Sequence, residues 1–141
     1  MESIRIKTSQ RIPLPFLTDR VAAGFPSPAT DHEEKDLDLN EHLIEHPSST
    51  FFIRVEGDSM EGAAILDNDI LIVDRSITPT HGSIVVAVVH GEITVKRLFR
   101  ENKRIELHAE NPQYAPIDVS YDAGFKIWGV VSGVVRKTWL V

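Results

Sequence analysis

The chain has 141 residues, 42% of them apolar and 26% charged, which is typical of a single folded domain with its own core. It contains no cysteine, which excludes disulfides, thiolate metal sites and a cysteine nucleophile. The formal net charge of −6 argues against nucleic-acid binding as the main activity, because the phosphate backbone favours a basic surface. The longest apolar run, 84–89, is too short to cross a membrane, and no signal-peptide pattern opens the chain.

The N-terminal segment predicts an extended arm. Its apolar stretch, Ile12–Leu17, contains two prolines and is suited to lie along the body of the protein or along a partner. Only 23 residues precede Gly24, too few for a helix-turn-helix domain. We therefore expect no direct sequence-specific contact with DNA.

Residues 21–28 combine small side chains with two prolines. Pro26 and Pro28 disfavour helix for themselves and for the residues before them, and the Ala23-Gly24 peptide bond carries almost no side-chain bulk. This pattern predicts an extended and accessible segment, which is either a flexible linker or a bond that a protease can approach closely. The charge-rich run 31–38 predicts a mobile connector after it, with a docking surface as the alternative.

One short helix is predicted after this connector. Asn40 is a suitable N-cap for a helix over 41–45, with Leu39 and Ile44 as a hydrophobic staple. His42 and His46 would then lie on one helix face at a spacing that metal sites use. No third ligand stands out, so we interpret this face as solvated and expect neither a metal nor a cofactor.

The rest of the chain is predicted to be β-rich. Apolar runs separated by glycines and acidic residues predict strands at 51–55, 70–73, 84–89, 93–98, 104–108 and 125–135. Between two of these runs, His90-Gly91 predicts a tight hairpin. Asp67 and Asp69 are interpreted as turn formers rather than calcium ligands.

Two residues carry the pattern of an activated nucleophile. Ser59 lies in a Gly57–Met60 turn after an apolar strand, and Lys96 follows 37 positions later in a second strand. A serine hydroxyl needs a neighbour that takes its proton, and a lysine amine does so only when it is uncharged. Burial depresses the pKa of a lysine and supplies this neutral state.

Strand alternation places Lys96 and Arg97 on opposite faces, with Thr94 and Leu98 on the face of Lys96. Periodicity leaves open which face is the core. The alternative is an edge strand whose lysine extends to solvent. Taken alone, Ser59 is also compatible with an ordinary structural turn.

The serine turn, the strand lysine and the Ala-Gly bond together resemble the LexA/UmuD family of self-cleaving Ser-Lys peptidases. The resemblance spans most of the chain, although Ala23 is the LexA-like choice where UmuD proteins carry cysteine. The matching stretches are Gly24–Ala29, Asp38–Asn40, His46–Ser48, Gly57–Met60, Asp69–Asp74, His81-Gly82 and Thr94–Lys96.

This resemblance implies a mainly β fold of twisted sheets with one short helix and an extended N-terminal arm. Residues 1–23 would be the arm removed by self-cleavage, 24–40 the flank and linker, and 41–141 the peptidase and dimerisation domain. Ser59 would be the nucleophile, Lys96 the general base and Ala23-Gly24 the bond cut. The main-chain amides of Asp58 and Ser59 would stabilise the oxyanion. From its spacing alone, Thr94 is a candidate to orient the lysine amine.

The resemblance also implies a setting, the bacterial cytoplasm during the SOS response to DNA damage. A RecA filament on single-stranded DNA would promote cleavage. The shortened product would form a homodimer that assists a Y-family, UmuC-like polymerase in translesion synthesis. The alternative is a non-enzymatic β-rich dimer module that binds a polymerase or a RecA filament without cutting itself.

Overall fold

The computed structural model describes residues 10–17, 20–26 and 34–139, and the chain divides into two compact units, Met1–Glu45 and His46–Val141. Across these described ranges the fold is mainly β, as predicted, with one short α-helix. Within the described ranges, no helix has both the length and the apolar character needed to span a membrane.

The first unit contains a small antiparallel sheet and the helix. Strand β1 (Leu14–Leu17) pairs with β2 (Glu34–Leu37), and α1 covers Leu39–Leu43. The prediction of a mobile connector is therefore wrong for 34–37, which pair with the arm, whereas 31–33 lie outside the described residues. Pro28 of the predicted cleavage segment also lies outside them.

The helix begins two residues earlier than the sequence suggested. Asp38, not Asn40, is the N-cap, and its carboxylate accepts hydrogen bonds from the main-chain N–H groups of Asn40 and Glu41. The same carboxylate also accepts a hydrogen bond from the N–H of Ile12, at 2.9 Å. A local capping pattern does not predict this contact, because Ile12 is distant in sequence. The predicted cap is therefore wrong by two residues, and the predicted staple does not fit, because Leu39 lies inside the helix and Ile44 is its C-cap.

The two histidines do not share a helix face. The helix ends at Leu43, so His46 lies beyond it, and its Nδ1 is 2.6 Å from Oδ2 of the buried Asp74. The interpretation of a common solvated face is therefore wrong.

The second unit is one seven-stranded antiparallel sheet with the order β3-β4-β9-β5-β6-β7-β8. All six predicted strands are present. The strands are β3 (Thr50–Arg54), β4 (Ile70–Asp74), β5 (Ile84–Val89), β6 (Glu92–Glu101), β7 (Arg104–His108), β8 (Ile117–Asp118) and β9 (Phe125–Val135). The sequence did not indicate the two-residue strand β8. The predicted hairpin joins β5 to β6, with positive φ at both His90 (50°) and Gly91 (82°), as a primed turn requires.

Two apolar clusters form the core, one on each side of β5. Alternate residues of that strand contribute to each, because side chains of a strand point to opposite faces. The first cluster consists of Val85, Ala87, Leu98, Leu107, Val119 and Val130. The second consists of Met60, Ile65, Leu71, Val73 and Val86.

Candidate active site

The turn that carries Ser59 follows β3 and is shaped by its neighbours. Gly57 has φ of +96°, which favours glycine, and its N–H donates to Asp67 Oδ1 at 2.8 Å. Met60 is 2% exposed in the second core cluster, so the residue next to Ser59 is anchored. A one-turn 3₁₀ helix, Glu61–Ala63, follows. Ser59 is thus held between a tight turn and a buried methionine.

Lys96 is the fifth residue of β6, which lies between β5 and β7 rather than at a sheet edge. The edge-strand alternative is therefore wrong. Lys96 is opposite the fully buried Val85 of β5 and is itself 8% exposed. Leu98, two residues further along the same face, is fully buried in the first core cluster. The face that carries Lys96 is therefore a core face.

Three oxygen atoms of described residues lie within hydrogen-bonding distance of the Lys96 amine. Its Nζ lies 3.3 Å from Ser59 Oγ, 2.6 Å from Thr94 Oγ1 and 3.1 Å from the carbonyl oxygen of Val95. The structure therefore brings together Ser59, Lys96 and Thr94, three of the predicted site residues.

Burial holds the pKa of the Lys96 amine below its ordinary value of 10.5, because desolvation disfavours the charged form. Desolvation by burial is the cause of this shift, and none of the carboxylates that the structure describes forms an ion pair with the ammonium. The site therefore favours a neutral amine more than solvent does.

The oxyanion candidates lie in the same turn. The main-chain N–H groups of Asp58 and Ser59 make no hydrogen bond to any other described residue. Two unpaired donors beside a hydroxyl are compatible with binding a developing negative charge.

The predicted scissile bond lies in the first unit. Ala23, Gly24 and Phe25 form an exposed bend, and Phe25 is 91% exposed. A Cβ built on Gly24 meets nothing within 4 Å. The bond is thus accessible, although the chain bends here rather than running fully extended as predicted.

A loop that the sequence did not point to also contacts the serine turn. It follows β7 and consists of Glu110, Asn111 and Tyr114 with the residues between them, and its contacts reach Asp58, Ser59 and Gly62. Its composition is that of an ordinary turn, so only the tertiary contacts identify it.

The fold and this site agree with the class of protein that sequence comparison gives, a peptidase. A family model described as Peptidase S24-like matches residues 15–132, and the chain belongs to that family. The resemblance to LexA/UmuD proteins is thereby confirmed.

Individual relatives support the same assignment. Protein MucA from Salmonella typhimurium is 47% identical over 121 residues, covering 84% of this chain and 82% of MucA. Protein ImpA from Escherichia coli is 44% identical over 125 residues, covering 88% and 84%. The LexA repressor from Vibrio cholerae is 40% identical over 126 residues, covering 88% of this chain and 60% of the repressor.

Proposed function

We propose that the chain is a self-cleaving serine peptidase that cuts its own Ala23-Gly24 bond with Ser59 as nucleophile and Lys96 as general base. The observation that carries this proposal is the 3.3 Å separation between Ser59 Oγ and the Nζ of a lysine that is 8% exposed. A hydroxyl within hydrogen-bonding reach of the amine meets the geometric requirement of general-base catalysis, and desolvation lowers the pKa of the amine in the direction that a base needs.

The contacts of the amine support its role as a base. A neutral amine has two N–H donors and one lone pair. The Val95 carbonyl oxygen accepts one N–H, and Thr94 Oγ1 is placed to accept the other. The lone pair is then left for the proton of Ser59. Thr94 thus orients the amine, and Ser59 supplies the proton that the amine removes.

The reaction proceeds in two halves. Ser59 Oγ attacks the Ala23 carbonyl carbon as its proton passes to Lys96, and the N–H groups of Asp58 and Ser59 stabilise the oxyanion. The tetrahedral intermediate expels the Gly24 nitrogen, which takes the proton from Lys96, and leaves an ester on Ser59. Lys96 then removes a proton from water, which attacks the ester; as the ester C–O bond breaks, Lys96 returns this proton to Ser59 Oγ, and the new Ala23 carboxyl group loses its proton to solvent.

We further propose that this cleavage serves the SOS response in the bacterial cytoplasm, with a RecA filament on single-stranded DNA as activator. The processed chain would act as a homodimer that assists a Y-family, UmuC-like polymerase. The family and the relatedness to a LexA repressor support this setting.

Incubation of the purified full chain tests the peptidase proposal. Mass spectrometry should detect a product that begins at Gly24, and Ser59→Ala should abolish it because the nucleophile is gone. Ser132→Ala is the matched control, since Ser132 is an exposed serine on β9, and it should cleave like the unsubstituted chain. Addition of RecA filament should accelerate the reaction. An unsubstituted chain that stays intact in all conditions would instead favour the non-enzymatic dimer module.

A further inference from the structure

The serine turn is held from outside by the loop after β7. The Glu110 N–H donates to the Ser59 carbonyl oxygen at 2.9 Å, and Asn111 Nδ2 donates to the Asp58 carbonyl oxygen at 3.0 Å. The Tyr114 hydroxyl donates to Asp58 Oδ1. Three successive contacts therefore converge on the two residues at the nucleophile.

The two segments also approach closely at a fourth point. The Gly62 N–H donates to the Glu110 carbonyl oxygen at 2.8 Å. A Cβ on residue 62 would lie 2.7 Å from that same oxygen, so only glycine permits the approach. Main-chain contact at this point fixes the loop against the turn.

The loop is in turn connected to the strand of the candidate base. It follows β7, which pairs with β6 from Arg97↔His108 to Glu101↔Arg104. Arg97, the residue after Lys96, forms an ion pair through Nε with Glu110 Oε1. The loop thus touches the nucleophile turn with one part and the neighbour of the base with another.

Further interactions orient the Asn111 and Tyr114 side chains towards Asp58. Asn111 Oδ1 accepts from the N–H of Gln113 at 3.0 Å, so both ends of its amide are engaged. The Asp58 carboxylate raises the pKa of Tyr114, because it stabilises the neutral hydroxyl that donates to it. This raised pKa extends the pH range over which the Tyr114 hydroxyl donates to Asp58.

We propose that Asn111 and Tyr114 are positioning residues that hold the Ser59 turn at its working distance from Lys96. This inference rests on the proposed function, since it assigns these two side chains a part in the same reaction. Neither side chain contacts the hydroxyl or the amine. Both act through Asp58, whose carbonyl and carboxylate they fix.

The size of the effect follows from the separation of the reacting atoms. The Nζ to Oγ distance of 3.3 Å is already at the long end of a hydrogen bond. A small further displacement of Ser59 Oγ from Lys96 Nζ would slow proton transfer, because a misplacement of about 1 Å lowers the rate on the order of a hundredfold. Loss of one contact among several should cost less, on the order of tenfold.

The test measures two rates on the full chain. One is the first-order rate constant of self-cleavage, and the other is the rate at which a fluorophosphonate probe labels Ser59, read by intact mass. The variants are Tyr114→Phe, which removes only the hydroxyl, and Asn111→Ala. The controls are Tyr121→Phe, a tyrosine 85% exposed, and Gln113→Ala, an exposed side chain in the same loop.

Both variants should slow both rates by on the order of tenfold, whereas both controls should stay within about twofold of the unsubstituted chain. The midpoint of the pH-rate curve should not move, because the surroundings of Lys96 are unchanged. In an Asp58→Ala background, Tyr114→Phe should have no further effect, since its acceptor is already missing. Melting temperatures confirm that each variant is folded at the assay temperature.

Three results would overturn the inference while the proposed function stands. In the first, the Tyr114→Phe and Asn111→Ala variants cleave and label at the rate of the unsubstituted chain. In the second, the midpoint of their pH-rate curve shifts. In the third, the effects of Asp58→Ala and Tyr114→Phe on the rates are additive in the double variant. A different result, an unsubstituted chain that neither cleaves nor labels at Ser59, would refute the proposed function and this inference with it.

Discussion

At the scale of single residues, the decisive feature is the environment of one amine. Lys96 is 8% exposed, and its neighbours are two side-chain hydroxyls and a main-chain carbonyl. An ammonium in this position loses hydration and has no ion pair with any described carboxylate, and this desolvation lowers its pKa. The sequence alone predicts that Lys96 lies in a strand, whereas its burial depends on the tertiary structure.

The rate of self-cleavage should therefore rise with pH. The protonated amine has no lone pair, so below the pKa of Lys96 the rate should increase by about tenfold per pH unit and then reach a plateau. Because that pKa is lowered, the plateau should begin below 10.5. The measurement is the rate constant of the purified chain between neutral pH and about pH 10.

A matched pair of variants separates this effect from general alkaline sensitivity. Lys96→Met should not cleave at any pH, whereas Lys126→Met replaces an exposed lysine on β9 and should preserve the whole curve. A rate that is flat over the range would contradict a lysine base.

The pairing of Ser59 with Lys96 could be predicted because the family resemblance supplied it. The face of β6 that is buried could not, since Thr94, Lys96 and Leu98 alternate with residues that are equally compatible with a core. The answer depends on residues distant in sequence, because Leu98 is buried in one cluster with Leu107 and Val119. The loop of Asn111 and Tyr114 escaped prediction for the same reason, because its contacts join residues more than fifty positions apart in sequence.

At the scale of elements, β9 organises the large sheet. It pairs with both β4 and β5, and the register shifts once on each side, between Ile72 and Val73 and between Val86 and Ala87. Each shift places an extra residue on β9, Trp128 opposite β5 and Ser132 opposite β4. Such irregularities bend a strand and increase its twist.

Glycine is required at one point of this strand. A Cβ on Gly129 would lie 2.6 Å from Cγ1 of the buried Val73, which a branched side chain cannot relieve by a small rotation. Gly129→Ala should therefore lower the free energy of unfolding by about 1–3 kcal/mol. Denaturant unfolding measures the change.

The control lies four residues further along the same strand. A Cβ on Gly133 would meet Ile72 Cδ1 at 3.2 Å, and this is the flexible end of a side chain. Gly133→Ala should cost clearly less than Gly129→Ala. Equal costs for the two variants would mean that close approach to Val73 is not the reason for glycine at 129.

The elements that the sequence missed are those with little local signal. Strand β2 has the sequence Glu-Lys-Asp-Leu, and β1 contains Pro15, so neither has the composition of a strand. They form because they pair with each other. The long apolar runs of β5 and β9, in contrast, were predicted with the observed bounds.

At the scale of the whole molecule, the chain is divided unequally. Both core clusters and both proposed catalytic residues belong to the unit His46–Val141, whereas the proposed scissile bond belongs to Met1–Glu45. A domain boundary was predicted after residue 40, and that boundary stays a prediction. The members of both clusters and the partly buried residues packed against them all lie at residue 53 or later, and none is a described residue of the first unit.

A fragment of residues 46–141 should therefore fold by itself and keep its site. Its circular dichroism should show β-structure with a cooperative thermal transition, and a fluorophosphonate probe should label it at Ser59. The same fragment with Ser59→Ala is the control and should fold without labelling. If the fragment is unfolded, the first unit is needed for stability. If the fragment is folded but is not labelled, the first unit is needed to complete the site.

The pairing of β1 with β2 has a consequence for what happens after the reaction. The proposed cut lies in the connection between these strands, so it would turn an intramolecular hairpin into two separate chains. After the cut, no covalent link would keep the two strands at high effective concentration, so the entropy gained on separation would favour dissociation. The contacts that oppose it are four paired residues on each strand and the hydrogen bond from the Ile12 N–H to Asp38. So short a ladder is marginal even when tethered. We expect the arm to leave, which would make hydrolysis practically irreversible and leave strand β2 without its pairing partner.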